Sequence, residues 1–267
     1  MPTRHQSSQN ELNHAVLTDE TGTDRRARSR KFLAQSFNFG NKIGFFGHDF
    51  SPVADISWNL TPRAGMAKTM SGQNIVKPSA DSIAASAQAA AKKKGPPPVH
   101  LWNPPFCGDL DMEIKRDGTW FYMGTPIGRP GLVKLFSSII RKDGDDYFLV
   151  TPVEKVGIRV EDAPFVALDF SVSGEGSDSV LTFTTHVEDE ATAGPDNPIR
   201  VVRDAETGEP APYILIRANL EALIDRKSFY RLVDLGQVEN HEGVDWFGVW
   251  SSGTFFPIIP ADELPED

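Results

Sequence analysis

The sequence predicts an α+β chain built from two similar, small, β-rich units, and three observations carry that expectation. Apolar and polar residues alternate in short runs from Asp109 onward, one segment after Pro130 has helical spacing, and the order of elements recurs. The expected organisation is an extension over residues 1–78, a first unit over 79–164, a second over 165–260 and a tail over 261–267. Each unit is expected to hold one helical segment.

The extension shows no sustained period. It carries a basic run, Arg25-Arg26-Ala27-Arg28-Ser29-Arg30-Lys31, expected to be a solvated, disordered tail, with a nucleic-acid or membrane-surface arm as the alternative. Met70-Ser71-Gly72-Gln73 reads like an ordinary amino terminus, so the preceding residues are expected to be disordered or a mis-assigned start. The Ala-rich stretch from Ala80 to Lys94 is a short helix by composition, with Asp81 placed to cap it and Lys92, Lys93 and Lys94 at its carboxyl end. Gly95-Pro96-Pro97-Pro98 stops it, because proline lacks the amide donor a helix needs.

In the first unit, Leu110, Met112 and Ile114 alternate with Asp109, Asp111 and Glu113, the mark of a half-buried strand. Asp117-Gly118 is a hairpin signal, and Trp120 to Ile127 is the expected return strand. Pro130 opens a helix whose apolar face is Leu132, Leu135, Phe136, Ile139 and Ile140. Strands are expected at Tyr147–Thr151 and Val156–Val160. The second unit reads as strands at Phe165–Val172, Val180–His186, Ile199–Arg203 and Tyr213–Arg217. A kinked helix or two short ones follow, through Leu220, Leu223 and Ile224 and then Phe229, Leu232 and Val233. Strands at Trp246–Trp250 and Phe255–Ile259 close the chain. Aligning the units by Arg129 with Arg217 and Asp146 with Asp245 gives the expected duplication.

Composition limits function. The chain has 267 residues, 39% hydrophobic and 24% charged, with no apolar run near the roughly 18–20 residues that span a bilayer. One cysteine, Cys107, permits no intramolecular disulfide and no Cys-based zinc site, so a cytosolic protein is expected. Up to Thr69 there are nine basic and six acidic residues, and from Met70 on eighteen and thirty-one, giving +3 and −13. An acidic body repels phosphate backbones, so a nucleic-acid polymer is not an expected partner, nor is a membrane.

No nucleophile elbow, zinc-protease helix motif, phosphate-binding loop or dinucleotide fingerprint is present. Asp109, Asp111 and Glu113 share one strand face, which suits either a hard cation or plain solvation, and His186, Glu188, Asp189 and Glu190 pose the same choice. Arg129 and Arg217 each stand at an expected helix entry. That is a place for an anion, unless each guanidinium simply pairs with a carboxylate of its own unit.

From Pro97 the chain resembles the bacterial family catalogued as domain of unknown function 1285. The resemblance lies in Trp102-Asn103-Pro104-Pro105-Phe106-Cys107-Gly108, Asp117-Gly118-Thr119-Trp120, Pro126-Ile127-Gly128-Arg129, Leu149-Val150-Thr151-Pro152-Val153-Glu154-Lys155, Val160-Glu161-Asp162-Ala163-Pro164-Phe165, Pro212-Tyr213 and Gly253-Thr254-Phe255-Phe256-Pro257. His186 stands where that pattern leads one to expect an Asn after Thr. The resemblance implies two related units, the second pleckstrin-like, with a cleft between them for a nucleotide-like ligand in signalling. The expected function is therefore non-catalytic binding of a small anionic molecule, with no cofactor. Arg129, Lys155 and Arg217 would be charge partners, Glu154 would orient the lysine and Tyr230 would be an aromatic platform. A metal-dependent enzyme using the acidic strand and a protein-interaction module are the alternatives.

Overall fold

In the computed structural model, residues 78–91 and 96–264 are described. The expected basic tail, the start at Met70 and the lysines at 92–94 lie outside them. The described residues are mostly β-sheet, with three α-helices: α1 (Ala80–Ala91), α2 (Pro130–Ser137) and α3 (Arg226–Val233). None is long and apolar enough to cross a membrane.

The first six strands are β1 (Phe106–Ile114), β2 (Trp120–Tyr122), β3 (Thr125–Pro126), β4 (Ile140–Asp143), β5 (Asp146–Val150) and β6 (Lys155–Val160). They form one sheet in the order β3-β2-β1-β6-β5-β4. The next six are β7 (Phe165–Ser173), β8 (Val180–Thr185), β9 (Glu190–Thr192), β10 (Ile199–Arg203), β11 (Pro210–Arg217) and β12 (Leu220–Ile224), ordered β10-β11-β12-β7-β8-β9. Taken from its other edge, the second sheet repeats the strand order of the first. In both, the first strand pairs parallel with the sixth, β1 with β6 and β7 with β12, and every other pairing is antiparallel.

The repeat therefore has a different register from the one the sequence suggests. β5, which begins at Asp146, corresponds to β11 and not to the strand that holds Asp245, and α2 lies inside the first set of six whereas α3 follows the second. Arg129 is the residue preceding α2, but Arg217 ends β11 and leads into a hairpin, so the two are not equivalent. The segment from Leu220 to Ile224 is a strand because its true period is two. Leu220, Ala222 and Ile224 are buried while Glu221 and Leu223 are only partly so. Asp225 then caps α3 by accepting from the Ser228 amide at 2.8 Å.

Other ends are set by equally local chemistry. Ser79, not Asp81, caps α1, exchanging bonds with Ser82 in which each Oγ accepts the other's amide at 3.2 Å. The expected strand from Trp120 to Ile127 is broken into β2 and β3 by Met123 and Gly124, both at positive φ, 49° and 73°. α2 ends at Ser137, earlier than its apolar spacing suggests. Phe136, Ile139 and Ile140 are buried, the last two beyond the helix, and Leu135 is only half-buried. Leu135→Ala should accordingly cost about 1 kcal/mol in denaturant unfolding, and a loss above roughly 3 kcal/mol would contradict its placement.

A third sheet, β13 (Gln237–His241), β14 (Val244–Ser251) and β15 (Thr254–Pro260), closes the chain. It is tied to the second sheet by Ser251. This fully buried hydroxyl accepts from the Leu181 amide at 2.9 Å and donates to the Ala193 carbonyl at 2.8 Å. Between the two six-stranded sheets, Tyr213 donates its phenol proton to Asp162 at 2.8 Å, and burial with that carboxylate pushes the phenol pKa up to about 12. The neutral phenol is the form the fold prefers. Stability from this contact is therefore complete below the ordinary phenol value near 10 and is lost as pH rises toward 12. Absorbance titration should show a late phenol step that Tyr213→Phe removes; a titration unchanged by that substitution would contradict the placement.

Candidate functional site

The two six-stranded sheets meet around α2. Two hairpin turns of the second unit reach it, the β8–β9 turn and the β11–β12 turn. From the first, Glu188 pairs with Lys134 and Asp189 pairs with Arg217. From the second, the Arg217 guanidinium donates to the Ser137 carbonyl at 2.6 Å, at the carboxyl end of α2, and Asn219 donates to the Lys142 carbonyl at 3.1 Å. Arg217 also stands 4.8 Å from the centre of the Phe165 ring. Both turns place a non-glycine residue at positive φ, Glu188 at 65° and Ala218 at 48°.

Two cavities open beside this joint, and Lys134 lines both. The first, about 510 Å³, lies among the Pro96–His100 segment, the end of α2, Ile140, Arg141 and the β11–β12 turn. Its cations are Lys134, Arg141 and Arg217, against one lining carboxylate, Asp189. Arg141 is held by Asp143 at 2.8 Å and by the Trp102 carbonyl at 2.6 Å. The second, about 570 Å³, is lined by the Gly118–Trp120 turn, the start of α2 and the β8–β9 turn from His186 to Glu188. His186 Nδ1 accepts the Val166 amide proton at 3.2 Å, and burial holds the imidazole below its usual pKa, so the ring is neutral with its proton on Nε2.

The residues expected to form one site do not come together. Of these residues Arg217 lines the first cavity, and its partners are Asp189 of its own unit and Ser137 of the other. Arg129 is exposed and makes no ion pair among the described residues, although its neighbours Gly128 and Pro130 line the second cavity. Glu154 does not orient Lys155. It accepts from Ser86 on α1 at 3.3 Å, while Lys155 is held by Asp143 at 2.7 Å and lies 3.7 Å from the centre of the Phe148 ring. Tyr230 is on α3, where its hydroxyl accepts from Arg226 at 3.3 Å. On the acidic strand, Asp111 is paired with Arg159 at 2.9 Å and Glu113 with Lys115 at 2.8 Å, so these carboxylates already have counter-charges.

Two residues that sequence reasoning did not assign to the site line the second cavity together. They are Trp120, 1% exposed, and His186, and neither ring N–H at Nε1 or Nε2 has a hydrogen-bond partner among the described residues. They are 66 positions apart and come from different sheets. No local pattern links them; the signals available were that Trp120 ends the run Asp117-Gly118-Thr119-Trp120 and that His186 stands beside Glu188, Asp189 and Glu190 in place of an expected Asn.

Comparison with known proteins completes the description. A family model described as the N-terminal domain of DUF1285, a domain of unknown function, matches residues 97–163, and one for the DUF1285 C-terminal domain matches residues 164–258. A solved DUF1285 family protein from Silicibacter pomeroyi DSS-3 is 65% identical, with a TM-score of 0.63, covering 68% of this chain and 97% of that one. Another from Shewanella baltica OS155 is 28% identical, with a TM-score of 0.36, covering 47% of this chain and 97% of that one. No curated protein matches.

Proposed function

The chain belongs to the DUF1285 family, and we propose that it is a non-catalytic binding protein that holds a small anionic molecule, nucleotide-like or otherwise, where its two units meet. The observation that supports this is the grouping of Lys134, Arg141 and Arg217 around one cavity of about 510 Å³, in a chain whose net charge is −10. Three cations around one concavity, paired with Glu188, Asp143 and Asp189, offer a small anion three guanidinium or ammonium groups whose carboxylate partners it can replace, while the acidic body repels polyanions. Each of the three already holds a carboxylate or a carbonyl, so an arriving anion exchanges one charge-assisted bond for another. Binding of this kind is reversible, as sensing requires, and it couples the ligand to the Arg217–Asp189 and Lys134–Glu188 contacts that hold the joint.

A signalling role in the cytosol and a pleckstrin-like second unit belong to the same reading. The second is supported by six strands followed by α3. The metal-dependent alternative is disfavoured by the ion pairs on Asp111 and Glu113.

The test is a pair of variants followed by melting temperature with inorganic phosphate, AMP and ATP. Arg217→Lys keeps the charge but loses the planar two-pronged geometry, so its ligand-induced shift should fall to less than half that of the parent. Arg129→Lys, exposed and outside the cavity, should match the parent. Equal shifts in all three proteins, or a loss confined to Arg129→Lys, would remove the reading.

A further inference from the structure

One imidazole fastens the start of the second unit. β7 begins at Phe165, beside the boundary between residues 163 and 164 at which the two family models meet, and its pairing with β8 runs as far as Ala167 and Thr185. One rung further, Val166 and His186 still exchange two bonds. The His186 amide donates to the Val166 carbonyl at 2.9 Å, and the Val166 amide donates to His186 Nδ1 at 3.2 Å. A side-chain nitrogen thus stands where the ladder would use a carbonyl.

The same ring touches the first unit. A Cβ placed on Gly118 would come within 3.2 Å of Val166 Cγ2 and 3.3 Å of His186 Cδ2 and Nε2, so the Asp117-Gly118 turn lies close against the pair, with Gly118 at a φ of 84°. His186 is therefore bonded to its own unit through Nδ1 and packed on the other unit through the opposite edge of the ring. Nε2 already carries the ring's proton, so a second must enter at Nδ1, where the Val166 N–H points. Two donors cannot face each other at hydrogen-bond distance, and Nε2 has no acceptor among the described residues to hold a cation in place. A charged ring has to leave.

The surrounding charges set when it leaves and where it goes. Burial lowers the imidazole pKa from its ordinary 6.5, while Asp189 on its own turn and Asp117 on the turn it packs against act in the opposite direction. Glu188 is paired with Lys134 of α2, and Asp189 with Arg217 at the end of β11. Beside the ring β7 brings only the uncharged Phe165, Val166 and Ala167. The closed form binds the second proton more weakly than an open one, so closure is complete above the ordinary 6.5 and is lost as pH falls below it.

We infer that His186 is an acid-released latch between the two units: neutral, it ties Val166 and seats on the Gly118 turn, and on protonation it gives up both contacts and turns toward Asp117 and Asp189, loosening the joint without unfolding either sheet. Glu188, which Lys134 holds below the usual carboxylate range, stays charged while this happens, so the turn remains tethered to α2. The latch does not depend on an anion at the first cavity.

Hydrogen exchange of the full chain without ligand, from about pH 7.5 to about pH 5 and corrected for the intrinsic exchange rate, tests it. Protection of the Val166 amide should fall about tenfold or more, because each pH unit below the open-state value favours the open form by up to about tenfold. The step should share its midpoint with the His186 ring-carbon signal. Protection of the Val150 amide, which donates to the Ile139 carbonyl at 3.0 Å within the first unit, should hold within about twofold. His186→Asn offers Val166 an amide oxygen and takes no proton, so its Val166 protection should stay level. Should that variant not fold, the Val166, Val150 and ring-carbon signals of the unaltered chain still decide the matter. Constant Val166 protection, a midpoint unlike that of the His186 ring, an equal acid loss in His186→Asn, or a loss at Val150 in step with Val166 would each overturn the inference.

Discussion

Phe136→Ala should cost about 3–5 kcal/mol of folding stability, the range for deleting a large, fully buried ring. Phe136 is 0% exposed at the end of α2, and its ring stacks on Trp120 at an interplanar angle of 24°. Removing it leaves a void beneath α2, the helix that Glu188 and Arg217 of the second unit reach. With the total stability of a chain of this size at about 5–15 kcal/mol, the melting temperature should drop by roughly 6–20 °C. Denaturant unfolding monitored by tryptophan fluorescence would measure it. A cost under roughly 1 kcal/mol would mean that α2 is not packed as described, and both cavities would lose their common wall.

Gly248→Ala should be comparably damaging, about 3 kcal/mol or more, by overpacking rather than by a void. Gly248 is a buried residue in the middle of β14. A methyl group there would overlap the Phe256 carbonyl oxygen and come within 2.6 Å of Phe255 Cζ. A carbonyl held in the β14–β15 ladder cannot move aside as a side-chain tip can, so the third sheet must separate at this point. Its attachment to the second unit through Ser251 would loosen with it. Circular dichroism and thermal unfolding would show the loss. A variant as stable as the parent would contradict the pairing of Gly248 with Pro257.

What the sequence made legible follows physical range. Strands that are half-buried and rich in branched or aromatic residues, such as β1, β8 and β10, stand within a residue or a few of where alternation puts them. Strands of polar composition, β9 with Glu190-Ala191-Thr192 and β13 with Gln237-Val238-Glu239-Asn240-His241, left no such trace, because their pairing and not their propensity holds them. Leu220, Leu223 and Ile224 fit a helical face by spacing alone, and Ala222, small and buried, hid the period of two. The duplication was legible as an idea, but not in register: a match resting on an Arg and an Asp had no access to the parallel pairing of first and sixth strands that defines it.

The site was less legible than the fold. Arg217 could be singled out as a cation in an acidic chain, and it does line the joint; Lys155 and Glu154 looked alike in sequence, yet their partners, Asp143 and Ser86, turn them to other tasks. Trp120, which opens β2, and His186, in the β8–β9 turn, line one cavity although 66 positions separate them, and no local pattern records that.

The claim that the joint between the units is a binding site for small anionic molecules is tested most directly by titration calorimetry of the full chain with AMP, ATP and inorganic phosphate. Saturable heat is predicted for at least one of the three, weakened in Arg217→Lys. Heats of dilution alone with all three, at concentrations up to several millimolar, would contradict it.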